Sequence, residues 1–151
     1  MQKEIIELSH LDMIVAAVKV STQIKNDFDE LINNTDLALN IYPVPRGGIP
    51  CSYLAMGFIG GSIRLVDSAE EADIIIDDII DSGDTRNRVL ALNPNARFYA
   101  FFNSEDYPDK WLSFTYDRTL DNQDSGIDIE LLRLSEHTGL EIAEIKNKLG
   151  L

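Results

Sequence analysis

The chain has 151 residues, 44% of them hydrophobic, and 26 Asp and Glu against 13 Lys and Arg give it a formal net charge of −13. This length and apolar content suit a single core of moderate size and exclude a chain that is disordered throughout. The acid excess argues against broad binding to nucleic acid or to an anionic membrane, because either ligand needs a basic face.

The cysteine content and the N-terminal residues indicate the cellular compartment. Cys51 is the single cysteine, which excludes an intrachain disulfide framework and a multi-cysteine metal site. The first residues lack the apolar core of a signal peptide, and no apolar run reaches the roughly 18 residues that span a bilayer. We therefore expect a cytoplasmic protein.

Strand and helix patterns alternate along the first two thirds of the chain. The predicted elements are a helix at 9–33, a strand at 37–44, a glycine loop at 46–48, a helix at 49–58 and a strand at 62–66. They continue with a strand from residue 74 into two acids, a turn at 81–85, a helix at 86–92 and a strand at 97–102. This alternation predicts an α/β fold with a parallel sheet.

The segment from Asp73 to Thr85 carries the strongest chemical signal. The apolar run Ile74–Ile76 predicts a central strand covered on both faces, and it enters Asp77 and Asp78 at the carboxyl edge of the sheet, where open α/β folds bind ligands. Adjacent acids there can bind ribose hydroxyls or support Mg²⁺. Residues 82–85 offer backbone N–H groups and hydroxyls at the start of a helix, which suits a phosphate.

These residues resemble the signature of the type I phosphoribosyltransferases, in which two acids, two hydrophobics and Asp-Thr-Gly-x-Thr follow a hydrophobic run. The sequence differs at Ser82, which replaces Thr, and at Asp84, which occupies the variable position. Upstream, residues 45–50 (PRGGIP) resemble the pyrophosphate loop of the xanthine–guanine and hypoxanthine branch. Downstream, residues 109–112 (DKWL), followed by Tyr116-Asp117, resemble its hood.

The resemblance implies a parallel-sheet type I phosphoribosyltransferase fold with a short hood and a small C-terminal helical appendage. It assigns residues 1–118 to this α/β domain, with the hood at about 103–118, and leaves 119–151 as a linker and helical appendage. The helical pattern at 134–150 resembles a helix-turn-helix but has few basic residues, so we interpret it as a packing or dimerisation element.

The resemblance also implies a site. The pyrophosphate, ribose and phosphate positions fall on Arg46, Gly47, Gly48, Asp77, Asp78, Ser82, Gly83, Asp84 and Thr85. Asp81 would be the general acid or base toward the ring nitrogen, and Asn103, Trp111 and Leu112 would contact the base. Asp77 and Asp78 would support Mg²⁺.

The implied reaction transfers the 5-phosphoribosyl group from phosphoribosyl pyrophosphate to a purine or purine-like base and releases pyrophosphate, as in nucleotide salvage. The expected partners are phosphoribosyl pyrophosphate, a nucleobase and further copies of the chain in a homodimer or larger homo-oligomer, with no nucleic acid or membrane.

Two departures from the family keep other functions open. Asn103 stands where the purine enzymes have a Lys, which implies either a base that is neither guanine nor xanthine or a replacement of the missing group by Lys110. Only residues 67–73 separate the second and third predicted strands, where the family has a long lid. An alternative is therefore a non-catalytic module that binds phosphoribosyl pyrophosphate or a nucleotide. A phosphatase with Asp77 as nucleophile is a weaker alternative, because the two acids are adjacent and leave a strand on opposite faces.

Overall fold

The computed structural model describes residues 3–114, 135 and 139–149. The strands are β1 (Glu4–Glu7), β2 (Leu39–Pro43), β3 (Ile63–Leu65), β4 (Ile74–Ile80), β5 (Arg97–Asn103) and β6 (Lys110–Ser113). The helices are α1 (His10–Asp27), α2 (Asp29–Ile32), α3 (Gly48–Ile59), α4 (Asp84–Leu92) and α5 (Ile142–Leu149), with single 3₁₀ turns at Ala69–Glu71 and Ser104–Asp106.

Four strands form a parallel sheet in the order β3-β2-β4-β5. The isoleucine run Ile74–Ile76 of β4 has no solvent exposure, as expected for a central strand covered on both faces. The predicted parallel α/β architecture is confirmed. The order of the strands reverses between β2 and β4, since the chain goes from β2 to β3 on one side and then to β4 on the other.

Strand β4 is longer than the sequence pattern indicated. It does not end at the acids but includes Asp77 and Asp78 and continues to Ile80, where it pairs with Asn103 of β5. Its other neighbour, β2, ends with Pro43 opposite Ile76. The acids therefore lie in the part of β4 that extends beyond β2.

Helix α1 covers the sheet together with α3. Ser9 caps α1 in a reciprocal capping box with Asp12, and the buried Ser21 hydroxyl donates to the Ala55 carbonyl of α3 at 3.1 Å. The single helix predicted at 9–33 is instead broken at Phe28, which has a non-helical backbone (φ −124°, ψ 29°).

Contacts with β5 accompany this break. The Tyr99 hydroxyl donates to Asp27 Oδ2 at 2.5 Å, and Arg97 Nη1 lies 3.1 Å from the same oxygen. The Arg97 guanidinium also lies 5.7 Å from the centre of the Phe28 ring. Burial and the Asp27 carboxylate raise the pKa of Tyr99, which keeps its hydroxyl a donor. Tertiary contacts thus override the continuous helical pattern at 9–33.

Two short strands pair in a separate two-stranded sheet that the sequence did not indicate. Strand β1 pairs with β6, the Leu8 N–H donates to the Ser113 carbonyl at 3.1 Å, and Lys110 forms an ion pair with Glu4. The polar pattern of β1 gave no signal for a strand whose partner lies a hundred residues away.

The chain divides into two compact units, one containing Ser9–Trp111 and the other containing Ile5–Leu8 and the chain from Leu112 onward. The boundary predicted between residues 118 and 119, and most of the predicted tail, lie outside the described residues. Helix α5 is the described part of that tail, and it buries Ile145. None of the described helices is long and apolar enough to cross a membrane.

Candidate functional site

The candidate site lies at the carboxyl edge of the four-stranded sheet, between β2 and β4. Ligands of open α/β sheets bind in the crevice where the strand order reverses, which is between these two strands. The loop after β2 is 44–47 and contains Arg46 and Gly47, and the loop after β4 is 81–83. Two of the three motifs that the sequence singled out therefore lie at the carboxyl ends of the two strands that flank this crevice.

The loop after β2 is a tight turn anchored to β4. The Val44 N–H donates to the Ile76 carbonyl at 2.9 Å, and the Gly48 N–H donates back to the Val44 carbonyl at 2.9 Å. The Pro45–Arg46 peptide bond is cis. Arg46 is exposed, and its carbonyl accepts the Ile49 N–H at 3.1 Å.

The two glycines of this loop are required by close approach rather than by backbone angle. Gly47 has an ordinary right-handed conformation (φ −62°, ψ −32°), but a Cβ added there would overlap the Asp78 carboxylate. A Cβ on Gly48 would overlap the Ile76 carbonyl oxygen and lie 3.3 Å from the Asp77 Cα. The structure therefore brings the predicted pyrophosphate loop directly against the predicted acidic pair.

The two acids of β4 differ in their surroundings. Asp77 is buried (7% exposed), whereas Asp78 is half-buried beside Gly47. Asp77 Oδ1 accepts the Asp78 N–H at 2.9 Å, and Asp78 Oδ1 accepts the Ile79 N–H at 2.8 Å. Burial, together with hydrogen bonding and charge from the neighbouring Asp78 carboxylate, raises the pKa of Asp77 to about 7.

The loop after β4 leads into α4. Gly83 has φ +86°, a left-handed conformation that favours glycine, and α4 begins at Asp84, two residues earlier than predicted. The Ser82 hydroxyl accepts the Asp84 N–H at 3.2 Å and donates to Asp84 Oδ2 at 2.8 Å. The extra carboxylate at the variable position thus engages the hydroxyl expected to contact a phosphate, and Thr85 lies in the first turn of α4.

A contact that the sequence did not indicate fixes the start of this loop. The Ser104 hydroxyl donates to the Asp81 carbonyl at 3.2 Å, while the Asp81 residue itself is exposed. The side chain that precedes it, Asn103, accepts the Glu105 N–H at 3.1 Å through Oδ1. Because a backbone N–H bonds only to the amide oxygen, this contact uses Oδ1 and leaves the NH₂ group at the other end of the Asn103 amide.

The two residues of β6 that are predicted to contact the base, Trp111 and Leu112, differ in exposure. Trp111 is 57% exposed, which leaves its ring available for stacking, whereas Leu112 is buried and belongs to the other compact unit. Their contact with a base stays a prediction. Lys110, the alternative to Asn103, is already engaged by Glu4.

The connection between β3 and β4 does not reach the site. Leu65 at the end of β3 and Ile74 at the start of β4 both pair with Ile41, so the two strand ends lie at one level of the sheet. At about 3.3 Å per residue, the four steps from Ile74 to Asp78 place that level about 13 Å from the acid. The connection 66–73 therefore begins about 13 Å from the acid along the strand direction, and it has too few residues to extend from there over the crevice.

This connection is also held in place by the side chain of Asn93, the residue that follows α4. Asn93 Nδ2 lies within hydrogen-bond distance of the carbonyls of Ala69 (2.9 Å), Ala72 (2.9 Å) and Glu70 (3.3 Å). Ala69 and Ala72 are buried, and the cluster that contains them includes Val89 of α4. The segment that corresponds in position to a lid is therefore packed.

Comparison with solved structures identifies the fold. The HGPRT-ase of Leishmania tarentolae, determined with GMP, superposes with a TM-score of 0.51 at 18% identity, over 67% of this chain and 76% of that one. The chain has a type I phosphoribosyltransferase fold. A hypothetical protein from Neisseria gonorrhoeae with bound ppGpp superposes with a TM-score of 0.53 at 12% identity, over 78% of this chain and 91% of that one. No family model and no curated protein matches the sequence.

The resemblance inferred from the motifs is confirmed at the level of this phosphoribosyltransferase fold. Of the predicted site residues, the structure brings together Gly47, Gly48, Asp77 and Asp78 by direct approach. Asp81 follows β4 and Asn103 is the last residue of the adjacent strand β5, and the Ser104 hydroxyl, next to Asn103, donates to the Asp81 carbonyl. The assigned roles of all these residues stay predictions.

Proposed function

We propose that the chain is a magnesium-dependent phosphoribosyltransferase that transfers the 5-phosphoribosyl group of phosphoribosyl pyrophosphate to a purine or purine-like base and releases pyrophosphate. The observation that carries the proposal is the approach of Gly47 to Asp78 at the point where the strand order reverses. A glycine loop against paired acids offers adjoining places for a diphosphate and for the ribose attached to it.

The donor set fits Mg²⁺ only when the substrate completes it. Among residues 3–114 and the described part of the tail, no group of three or more His, Cys, Asp or Glu could hold a metal ion by itself. Mg²⁺ is usually held by one or two carboxylates together with substrate phosphates, and Asp78 and Asp77 would supply the carboxylates here. When bound, the ion neutralises charge on the departing diphosphate.

The chain's own residues would act mainly by positioning and by proton transfer. Arg46 would bind the diphosphate beside Gly47, which lets the backbone come close. Asp78 would accept hydrogen bonds from the ribose hydroxyls, and residues 82–85 would bind the 5′-phosphate. Asp81, with its carbonyl held by Ser104, would accept or donate the proton at the ring nitrogen of the base.

The orientation of Asn103 supports a base that carries a carbonyl group. With Oδ1 engaged by the Glu105 N–H, the Asn103 NH₂ presents donors, which match an exocyclic oxygen and not an exocyclic amino group. We therefore expect 6-oxopurines to be preferred over 6-aminopurines, with Trp111 stacking on the ring.

A base-panel assay tests the proposal. The full chain incubated with phosphoribosyl pyrophosphate, Mg²⁺ and hypoxanthine, guanine, xanthine or adenine should release pyrophosphate with at least one base. Asp81→Ala should abolish the release, while Asp67→Ala, which removes an exposed acid from the connection 66–73, should leave it unchanged. Pyrophosphate release by Asp81→Ala at the wild-type rate would contradict the role of Asp81, and no release with any base would contradict the enzymatic function.

The packed connection favours a second candidate function, a nucleotide-binding regulatory module without turnover. Closure over a site excludes water and completes the catalytic group, and residues 66–73 are clamped by Asn93 away from the acids. The structural neighbour with bound ppGpp agrees with such a module. Calorimetry should then show binding of GMP or ppGpp without pyrophosphate release in the assay above.

A further inference from the structure

Helix α1 has a second apolar face that nothing in the described structure covers. Its buried face contains Met13, Ala16, Ala17, Val20, Ser21 and Ile24. On the opposite side, an exposed stripe contains Leu11 (68% exposed), Ile14 (41%), Val15 (60%) and Val18 (43%). At 100° per residue, this stripe is centred nearly opposite the buried face. A contiguous exposed apolar stripe of this kind marks an interaction surface.

The charge of α1 indicates what can bind there. The chain carries −13, but within α1 Lys19 and Lys25 balance Asp12 and Asp27, so that its formal charge is zero with His10 neutral. Two copies of so acidic a chain repel each other over most of their surface. Because α1 is neutral and its exposed stripe is apolar, two copies can associate through this helix without that repulsion.

The positions of the charges also favour one orientation. Asp12 and Lys19 are seven residues apart and so lie on the same flank of the stripe. When two helices pack antiparallel, the same flank of each faces the other, and Asp12 of one copy then comes beside Lys19 of the second. In parallel packing, the flank with Asp12 and Lys19 in one copy would face the other flank of the second copy. That flank contains Ile14 and Lys25, so no acid would face Lys19.

We propose that the chain forms a two-fold symmetric dimer through α1, packed antiparallel on Leu11, Ile14, Val15 and Val18, with Asp12 of each copy beside Lys19 of the other. In this register Val15 lies opposite Val18, and Leu11 opposite Thr22. The interface is self-complementary, as a two-fold contact requires. The dimer does not depend on the proposed function, because none of these residues belongs to the candidate site.

Sedimentation velocity on the full chain tests the interface. The wild type should sediment as a dimer, and Val15→Glu, which places a charge in the stripe at an already exposed position, should convert it to a monomer with an unchanged circular dichroism spectrum. Gln23→Glu adds the same charge to α1 at a position about 130° around the helix from the centre of the stripe and should leave the dimer intact. A wild-type chain that is monomeric at every concentration, or a Val15→Glu chain that remains dimeric, would overturn the proposal.

Disulfide cross-linking tests the orientation. The double variant Leu11→Cys, Thr22→Cys should form a covalent dimer on mild oxidation, because these positions face each other in antiparallel packing. Leu11→Cys alone should not, since its counterpart in the second copy is then distant. Buried Cys51 is common to both variants and to the wild type, which serves as the blank. A covalent dimer of the single variant and not of the double one would overturn the antiparallel arrangement.

Discussion

Two connections leave neighbouring strands of the same sheet and differ in what they do at the site. The loop after β2, residues 44–47, is anchored to β4 and places Gly47 against Asp78. The connection after β3, residues 66–73, is anchored to Asn93 and ends level with the start of β4. The first lies against the paired acids and the second lies away from them, so that under the proposed function the pyrophosphate loop is in place while this segment provides no cover.

The largest expected effect is that of Gly47→Ala. The added methyl group overlaps the Asp78 carboxylate, so either the loop or the acid must move, and we expect activity or nucleotide affinity to fall by about a hundredfold and stability by about 1–3 kcal/mol. The matched control is Gly57→Ala, because nothing lies within 4 Å of a Cβ at this position of α3. The control should keep full binding and gain up to about 1 kcal/mol of helix stability.

Calorimetry and urea denaturation of the two glycine variants decide this prediction. If Gly47→Ala bound nucleotide as well as Gly57→Ala does, the loop after β2 would not be part of the site, and the contrast between the two connections would lose its functional meaning.

The next effect is the pH dependence that Asp77 imposes. Its pKa is raised to about 7 in the folded chain from the ordinary value of 3.8, so the folded state binds more protons between these values. The free energy of unfolding should therefore fall as the pH rises from about 4 to about 7 and become level above that. Asp77→Asn should remove this part of the slope.

Urea denaturation at a series of pH values measures the slope, and Asp67→Asn, which changes an exposed acid of the connection 66–73, is the control. Parallel stability curves for the wild type and Asp77→Asn would contradict the raised pKa.

A smaller effect is expected from releasing the connection after β3. Asn93→Ala removes the amide that contacts three carbonyls of 69–72 and should lower the free energy of unfolding by about 1–3 kcal/mol. Hydrogen exchange should become faster in 66–73 and stay unchanged in 44–48. Asn87→Ala, at an exposed position of α4, should change neither quantity. Unchanged protection of 66–73 in the Asn93 variant would show that the burial of Ala69 and Ala72 alone holds the segment.

The smallest effect concerns Asp84. Its carboxylate accepts the Ser82 hydroxyl and adds a negative charge where a 5′-phosphate is expected, so Asp84→Asn should tighten GMP binding by about tenfold, or about 1.4 kcal/mol. Guanosine, which lacks the phosphate, should bind equally well to the variant and the wild type. Glu70→Gln removes an acid from the other connection and should leave GMP affinity unchanged. A loss of GMP affinity in Asp84→Asn would instead make the Asp84 carboxylate part of the site.

The sequence predicted those parts of the fold that local pattern determines. The isoleucine run, the glycine loop and the alternation of strands and helices are local signals, and together they gave the parallel sheet and the two loops at its reversal point. The short length of 67–73 was likewise visible by counting.

The remaining features depend on contacts between distant segments. The pairing of β1 with β6, the break of α1 at Phe28 beneath Arg97, and the extension of β4 to Ile80 along β5 each arise from a partner far along the chain. The contacts of Asn93 and Ser104 were hidden for the same reason, since an Asn before Pro and a Ser after a strand are ordinary residues at such places. Of these side chains, only Asn103 was singled out from the sequence. The orientation of its amide follows from the contact with the Glu105 N–H, which the sequence does not show.

The brevity of β3 has a separate consequence for aggregation. In the described sheet β3 is an edge strand, and an edge offers unpaired backbone groups on which another chain can add a strand. Ile63–Leu65 presents only three residues of such an edge, with the exposed, charged Arg64 in the middle. Short length and central charge both make a poor template for intermolecular pairing, so the short strand whose connection stays away from the crevice also protects this side of the sheet.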